Sequence, residues 1–240
     1  MKIKQADLRN HLLSRLSVRD FAELAPHLEE VELPSRRQLE IRGRAVERNY
    51  FPESGLASVI AQAAKGQLVE TGIIGREGFT GIGVALGDER CTQSIVIQIA
   101  GHGYAAPAAI VRRLTDESPT FRMAKLRFAR AFTVQAAQTA LANGCGRLEQ
   151  RLARWLLMLH DRVDGERLAI THDYIAIMLA VRRPGVSVAL KQLEAEGLIE
   201  NERGVILIRN RAGLRLKCDG LYGATEQEYQ RLIGWKPQHG

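Results

Sequence analysis

The sequence has few sulfur ligands. Its three cysteines, Cys91, Cys145 and Cys218, stand far apart, are odd in number and form no CxxC pair. That pattern speaks against a disulfide framework and against a thiolate zinc site, and suits reduced thiols in a reducing compartment. Long apolar runs are also missing: no stretch of about 18 residues is apolar throughout, so no transmembrane helix and no membrane partner are expected. The N-terminus, MKIKQADLRN, is polar, and no secretory leader is expected either. The expected location is the cytoplasm. Catalytic constellations are absent as well. There are no paired carboxylates, no nucleophile beside a base and no HExxH, and the six histidines are scattered without ligand spacing. An enzyme is not expected.

At 240 residues the chain is long enough for one large or two ordinary domains, and 45% hydrophobic with 25% charged residues is a soluble globular composition. The net charge of +7 permits an acidic partner such as DNA without demanding one. The charge is spread out: between Thr171 and Arg211 six Arg/Lys face five Asp/Glu. A basic surface must therefore come from placement on one face.

Residues 8–28, LRNHLLSRLSVRDFAELAPHL, read as one or two short helices, with Ser17 as a cap and Phe21, Leu24 and Leu28 inside. From Val31 to about Ile110 short apolar pieces alternate with Gly and Pro turns: VELP, QLEI, NYFPESG, LASVIA, LVETGII, SIVIQIA. That spacing predicts an all-β roll. Within it Gly81-Ile-Gly83-Val-Ala-Leu-Gly87 imitates a dinucleotide fingerprint, but no strand–helix context follows, so turn glycines are the reading preferred over a cofactor loop.

Ser118 to Asn143 reads as one helix of 26 residues, about 39 Å long. Leu126, Ala129, Thr133, Ala136 and Ala140 follow a 3–4 spacing. A two-fold seam between copies of the chain would use them; packing on the helix's own domain is the alternative. Gly144-Cys145-Gly146 breaks the helix and forms a hinge. Arg147 to Val163 is a second amphipathic helix with Leu148, Leu152, Trp155, Leu156 and Leu159 inside. A short strand, Arg167 to Ile170, follows. The tail carries Leu221, Tyr222, Tyr229 and Leu232 on a closing helix.

The most informative stretch is THDYIAIMLAVRRPGVSVALKQLEAEGLIENER, from Thr171 to Arg203. Thr171 can cap a helix whose apolar face is Ile175, Met178 and Leu179. Ala180 to Arg183 connect it to a second helix, where Pro184 suits the first turn and Val186, Leu190 and Leu193 form the buried stripe. Gly197 supplies a left-handed stop and Leu198 folds back. A hairpin follows, turning at Glu202-Arg203-Gly204 into Val205–Ile208. A helix pair followed at once by a hairpin is a winged helix-turn-helix, whose second helix would enter a DNA major groove.

Several phrases in this order resemble the CRP/FNR family of bacterial transcription regulators. They are Tyr50-Phe51-Pro52-Glu53-Ser54-Gly55, Arg151-Leu152-Ala153-Arg154-Trp155-Leu156-Leu157, Val181-Arg182-Arg183-Pro184-Gly185-Val186 and Leu193-Glu194-Ala195-Glu196-Gly197-Leu198-Ile199. The resemblance covers nearly the whole chain. It implies an α+β protein: an N-terminal jelly-roll-like β-roll, a long dimerisation helix and a C-terminal winged helix-turn-helix. The corresponding boundaries are an effector domain with short N-terminal helices over 1–117, the dimerisation helix and hinge over 118–146, and the DNA-binding domain over 147–240. The implied partners are double-stranded DNA, a second copy of the chain and, for an activator, RNA polymerase, although no surface for the polymerase is recognisable. A sensor module with a protein partner and no DNA binding is the rival reading.

The departures from the family pattern matter. Cyclic-nucleotide binders of the family place a Glu just after a Gly of the roll and an Arg-Ser or Arg-Thr further on. Here Gly81 is followed by Ile82 and Arg90 by Cys91, so cyclic AMP is not expected; Gly81, Arg90 and Cys91 stay as the candidate effector-site residues. Oxygen sensors of the family hold an iron–sulfur cluster on N-terminal cysteines. The first cysteine here is Cys91, and no such cluster is expected. His102, between Gly101 and Gly103, reads as a turn histidine and not a haem ligand. Cys145 at the hinge is the candidate residue for a redox response. At the reading helix, Arg182, Arg183, Pro184, Ser187 and Val188 are the expected DNA-facing residues. Arg183 matches a guanine edge and Val188 a thymine methyl. Pro184 replaces a family Glu and Val188 a family Arg, so the preferred site should differ from the usual family sequence. Lys191, Arg203, Arg209 and Arg211 are candidate phosphate contacts.

Overall fold

The computed structural model describes residues 3–239. A 3-10 turn (Gln5–Asp7) leads into α1 (His11–Ser14) and α2 (Val18–Leu24). Each helix begins at a side-chain cap: Asn10 Oδ1 accepts from the Leu13 N–H at 3.1 Å and Ser17 Oγ from the Asp20 N–H at 3.0 Å. Strands β1 (Glu29–Leu33), β2 (Gln38–Glu40), β3 (Arg48–Pro52), β4 (Leu56–Gln62) and β5 (Leu68–Ile74) follow. After the single turn α3 (Ile82–Ala85) come β6 (Ser94–Ile99) and β7 (Gly101–Pro107). All pair antiparallel, in one sheet ordered β1-β7-β3 and another ordered β2-β6-β4-β5. This is the expected β-roll. The Gly81–Gly87 loop forms only the one turn of α3, so nothing there resembles a dinucleotide-binding helix.

Two parts of the roll depart from the expectation. Gly101-His102-Gly103 is not a turn but the start of β7. A Cβ at Gly101 would stand 2.2 Å from the Ser54 carbonyl oxygen and one at Gly103 2.4 Å from that of Phe51, so glycine is what lets the strands meet. His102 is exposed there, with Nδ1 2.8 Å from Ser54 Oγ. The strand region also ends earlier than Ile110, because Pro107 opens α4 (Ala108–Glu117), whose Val111, Leu114 and Thr115 are buried.

Helix α5 (Pro119–Cys145) is 27 residues long and capped by Ser118. Gly144 and Cys145 stay helical and Gly146 ends the helix. Phe121, Phe128, Phe132 and Gln135 face the roll; Met123 and Leu141 are exposed on the other side. Of the expected seam residues, Thr133 and Ala140 are exposed, Leu126 and Ala136 are half-buried, and Ala129 is buried against the roll.

The C-terminal part comprises α6 (Leu148–His160), β8 (Arg167–Leu168), α7 (His172–Met178), α8 (Arg183–Ala195), β9 (Ile199–Glu202), β10 (Val205–Ile208), α9 (Arg211–Lys217) and α10 (Ala224–Ile233). Strand β10 lies between β8 and β9. Every residue of α6 from Leu152 to His160 is buried, which suits a helix covered on all sides. It packs against α8 and α9, and its core is continuous with Leu56, Ile60 and Ile73 of the roll. The closing helix α10 lies along α5. Its Tyr229, with Trp235 beyond it, joins the aromatic cluster of Phe51, Phe79 and Phe128. Beneath them Arg162 and Glu77 form an ion pair at 2.8 Å with both side chains fully buried. No described helix is long and apolar enough to cross a membrane.

Candidate nucleic-acid interface

Helix α7 starts at Thr171, whose Oγ1 accepts from the Tyr174 N–H at 3.3 Å. It buries Ile175, Ala176 and Met178. The chain then turns through Ala180, which has a left-handed φ of 51°. The turn is closed by the Val181 N–H donating to the Ala176 carbonyl at 2.9 Å. Helix α8 begins with Arg183 and has Pro184 in its first turn, where the missing N–H would find no intrahelical partner in any case. Val186, Ala189, Leu190 and Leu193 are buried and fix the rotation of the helix. Its end matches the sequence reading. Gly197 has φ 68° and the Leu198 N–H returns to the Leu193 carbonyl at 3.0 Å.

With that face buried, the opposite face is determined. Arg182, Arg183, Pro184, Val188 and Lys191 are exposed, Val188 to 67%. Val188 thus stands in water while the other valine and leucine side chains of the same helix, Val186, Leu190 and Leu193, are buried. Arg183 Nε lies 3.2 Å from Asp173 Oδ1 with both side chains about two-thirds exposed. Such a pair contributes at most about 1 kcal/mol and gives way readily to a stronger acceptor. The carboxylates nearby are paired elsewhere, Glu202 with Arg167, Glu200 with Arg209 and Glu196 with Lys217, and among the described residues no ion pair involves Arg182, Lys191 or Arg203.

Ser187 is placed differently. It is half-buried, and its hydroxyl lies 3.3 Å from His172 Nδ1, while His172 Nε2 lies 3.1 Å from Asn201 Oδ1. One histidine thus ties α7, α8 and β9 together. This link was not evident in the sequence, where His172 is only the residue after a cap. The wing is a two-residue turn: Glu202 pairs with Val205, and Arg203 stands exposed at the tip before Gly204, with φ 78°. Arg209 is exposed and engaged with Glu200. Arg211 is not available to a phosphate: it donates to Asp161 Oδ1 at 2.6 Å and to Tyr222 Oη at 2.9 Å, in a mostly buried cluster. Cys145 is exposed at the end of α5.

The candidate residues of the roll lie elsewhere. Gly81 has φ 77°, its N–H donates to Glu40 Oε1 at 2.5 Å, and a Cβ on it would strike Asn49 at 2.1 Å. Its role is thereby accounted for by the turn. Cys91 is buried, and burial together with the nearby Glu40 carboxylate pushes its thiol up to about 11. Arg90 is exposed. Arg90 and Cys91 lie on the wall of a cavity of about 470 Å³ between the roll and α5.

A family model for the Crp-like helix-turn-helix domain matches residues 150–216, the span from α6 to α9. No curated protein matches the sequence. Solved structures match in fold. A protein assigned to the crp/fnr family of transcriptional regulators from Eubacterium rectale superposes with a TM-score of 0.68 at 16% identity, covering 87% of this chain and 98% of that one. FixK2 from Bradyrhizobium japonicum gives 0.68 at 16% identity, covering 79% and 96%. The c-di-GMP-responsive regulator CLP of Xanthomonas campestris gives 0.64 at 16% identity, covering 80% and 99%.

Proposed function

We infer that this chain, which joins a Crp-like helix-turn-helix domain to the fold of the CRP/FNR regulators, is a sequence-specific, non-catalytic transcription regulator that acts on DNA as a cytoplasmic homodimer. The observation that carries the reading is the outward face of α8. The packing of Val186, Leu190 and Leu193 presents Arg182, Arg183, Val188 and Lys191 together, with the cationic wing tip at Arg203 beyond them.

In this reading the N-terminal turn of α8 meets base edges, with Arg183 on guanine and Val188 on a thymine methyl. Lys191 and Arg203 hold phosphates. Ser187 contributes by fixing α8 to His172 more than by direct reading. The exposed side of α5, with Met123, Thr133, Ala140 and Leu141, is the surface on which a second copy would pack. Pairing there sets two reading helices about 34 Å apart, one turn of DNA, and makes the site palindromic. The division is a roll over 1–117, a seam helix and hinge over 118–146 and a DNA-binding unit over 147–240. An effector in the roll cavity would touch α5 and so reach the seam.

The test is selection of genomic fragments by the purified protein at two salt concentrations. Recovery of a palindrome whose affinity falls steeply with salt is expected, because a dimer making about 6–10 phosphate contacts releases as many counterions. Recovery of no specific fragment, with or without cell extract as a source of effector, would sink the reading.

A further inference from the structure

The cavity between the roll and α5 has a distinct chemistry. Its wall is built mostly from Val46, Val59, Ile82, Leu86, Ile95 and Phe132. At about 470 Å³ it falls in the size range of small-molecule sites. Several of the polar groups beside it are already paired within the protein. Gln93 Nε2 donates to Thr71 Oγ1 at 2.9 Å and Thr133 Oγ1 donates to the Ala129 carbonyl at 2.9 Å. The Asp88 carboxylate accepts from the Arg90 N–H at 2.9 Å.

The charges on the wall do not suit an anion. Among the described lining residues Arg90 is the one cation, and it is exposed. Against it stand Asp88 and the buried Glu40. Glu40 is held by the Gly81 N–H, and burial raises its carboxyl above the usual range. A phosphate placed there would lose its water and meet a carboxyl group, with a single solvated arginine in return.

We propose that this cavity binds a neutral, mostly apolar small molecule carrying one N–H or O–H donor for Glu40, and not a nucleotide or other anion. The proposal rests on the reading of the roll as the effector-responsive part of a DNA-binding regulator and names the ligand class of that site. The apolar body fills the space between the sheet and the seam helix, where Ala129, Phe132 and Ala136 are small or apolar. Such an occupant presses on α5 beside Thr133, at the edge of the face on which a second copy would pack.

Two probes that share a ring system and differ in charge decide the matter on the full-length protein. N-phenyl-1-naphthylamine is neutral and carries one N–H; 8-anilinonaphthalene-1-sulfonate adds a negative charge. The neutral probe should saturate at one per chain and bind at least tenfold tighter than the anionic one, with cyclic AMP failing to displace it. Electrostatic adsorption on a chain of net charge +7 favours the anion and so works against the expected preference, while saturation at one per chain separates the cavity from exposed apolar surface. Filling the cavity by Ala136→Trp, or separately by Val59→Phe, should weaken the neutral probe at least tenfold.

Equal or tighter binding of the anion, displacement by cyclic AMP, or unchanged neutral-probe binding in both filled variants would overturn the proposal. Should either substitution disturb folding, the two-probe comparison on the unmodified protein still decides. Selection on DNA runs in parallel. Probe saturation without DNA recovery refutes the regulator reading and leaves the cavity assignment standing; DNA recovery without probe saturation does the reverse.

Discussion

Ala180 is where the helix-turn-helix stores strain. An L-residue at φ 51° brings its Cβ against the following carbonyl, at a cost of about 1–2 kcal/mol. Glycine relieves that clash but gives the unfolded chain more freedom. Ala180→Gly should therefore stabilise the protein by about 1 kcal/mol, read as a higher urea midpoint; a lower midpoint would mean that the alanine methyl packs favourably. The residue was visible in the sequence as part of the connection, but its conformation was not, because alanine does not announce a positive φ as glycine does. Arg183 is the opposite case, since a cation at the start of a helix with a well-defined buried stripe could be placed by spacing alone. Its pair with Asp173 is exposed, so Arg183→Ala should change stability by less than about 0.5 kcal/mol. Its effect should appear in binding: a loss of about 1–3 kcal/mol on the selected site, with relaxed choice at one position per half-site and little change on scrambled DNA. Equal losses on both sequences would reduce Arg183 to a phosphate contact.

At the scale of elements, legibility followed the strength of the local pattern. Strands β1 to β6 were marked by apolar pieces between turns, and α8 by its stripe, its proline and its closing glycine. Strand β7 was not, because Gly101 and Gly103 serve the approach of neighbouring backbones and leave no alternation to read. Helix α5 is legible from its length and composition, but its faces are not: Ala129 lies on the 3–4 spacing of a seam and is already buried within the single chain. The same helix carries Lys125 with no exposed surface, its Nζ 3.1 Å from Thr115 Oγ1 and over the rings of Phe79 and Phe121. Burial lowers its ammonium to about 7. The folded state therefore disfavours a proton that the unfolded chain binds below its ordinary value near 10.5. The destabilisation grows as pH falls from there towards 7 and is complete below it. Lys125→Met keeps the length of the side chain and removes the charge. It should stabilise the protein by about 1–3 kcal/mol at pH 6 and by much less near pH 10. Chemical denaturation at the two pH values measures the difference, and a gain that is equal at both would mean that charge is not the cause.

Across the whole molecule the helix-turn-helix part is fastened to the roll by groups that no local pattern reveals, since the partners that cross between the two lie far apart in sequence. Glu77 of the roll holds Arg162 just beyond α6. Gln135 of α5 donates to the Ile73 carbonyl at 3.2 Å and to Tyr229 Oη of α10 at 2.9 Å. Glu70 of β5 accepts from Trp155 Nε1 of α6 at 2.7 Å and from Ser58 Oγ at 2.6 Å. Glu70 is the titratable part of this seam. Burial pushes its carboxyl up to about 7, against the pull of Ser58, Trp155, Arg154 and Arg162 towards the ionised form. A raised carboxyl means that folding favours the proton. The contact is undisturbed below the unfolded value of 4.5, weakens as pH rises from there, and carries the full cost of a buried carboxylate above about 7. That cost is of the order of 3 kcal/mol. Glu70→Gln keeps an acceptor for the Trp155 N–H and cannot ionise. Its stability relative to the unmodified protein should therefore rise between pH 5 and pH 8, by an amount approaching that figure, as read from urea midpoints at the two pH values. A difference that stays flat across this range would show that Glu70 is not the group through which pH reaches the contact between the roll and α6.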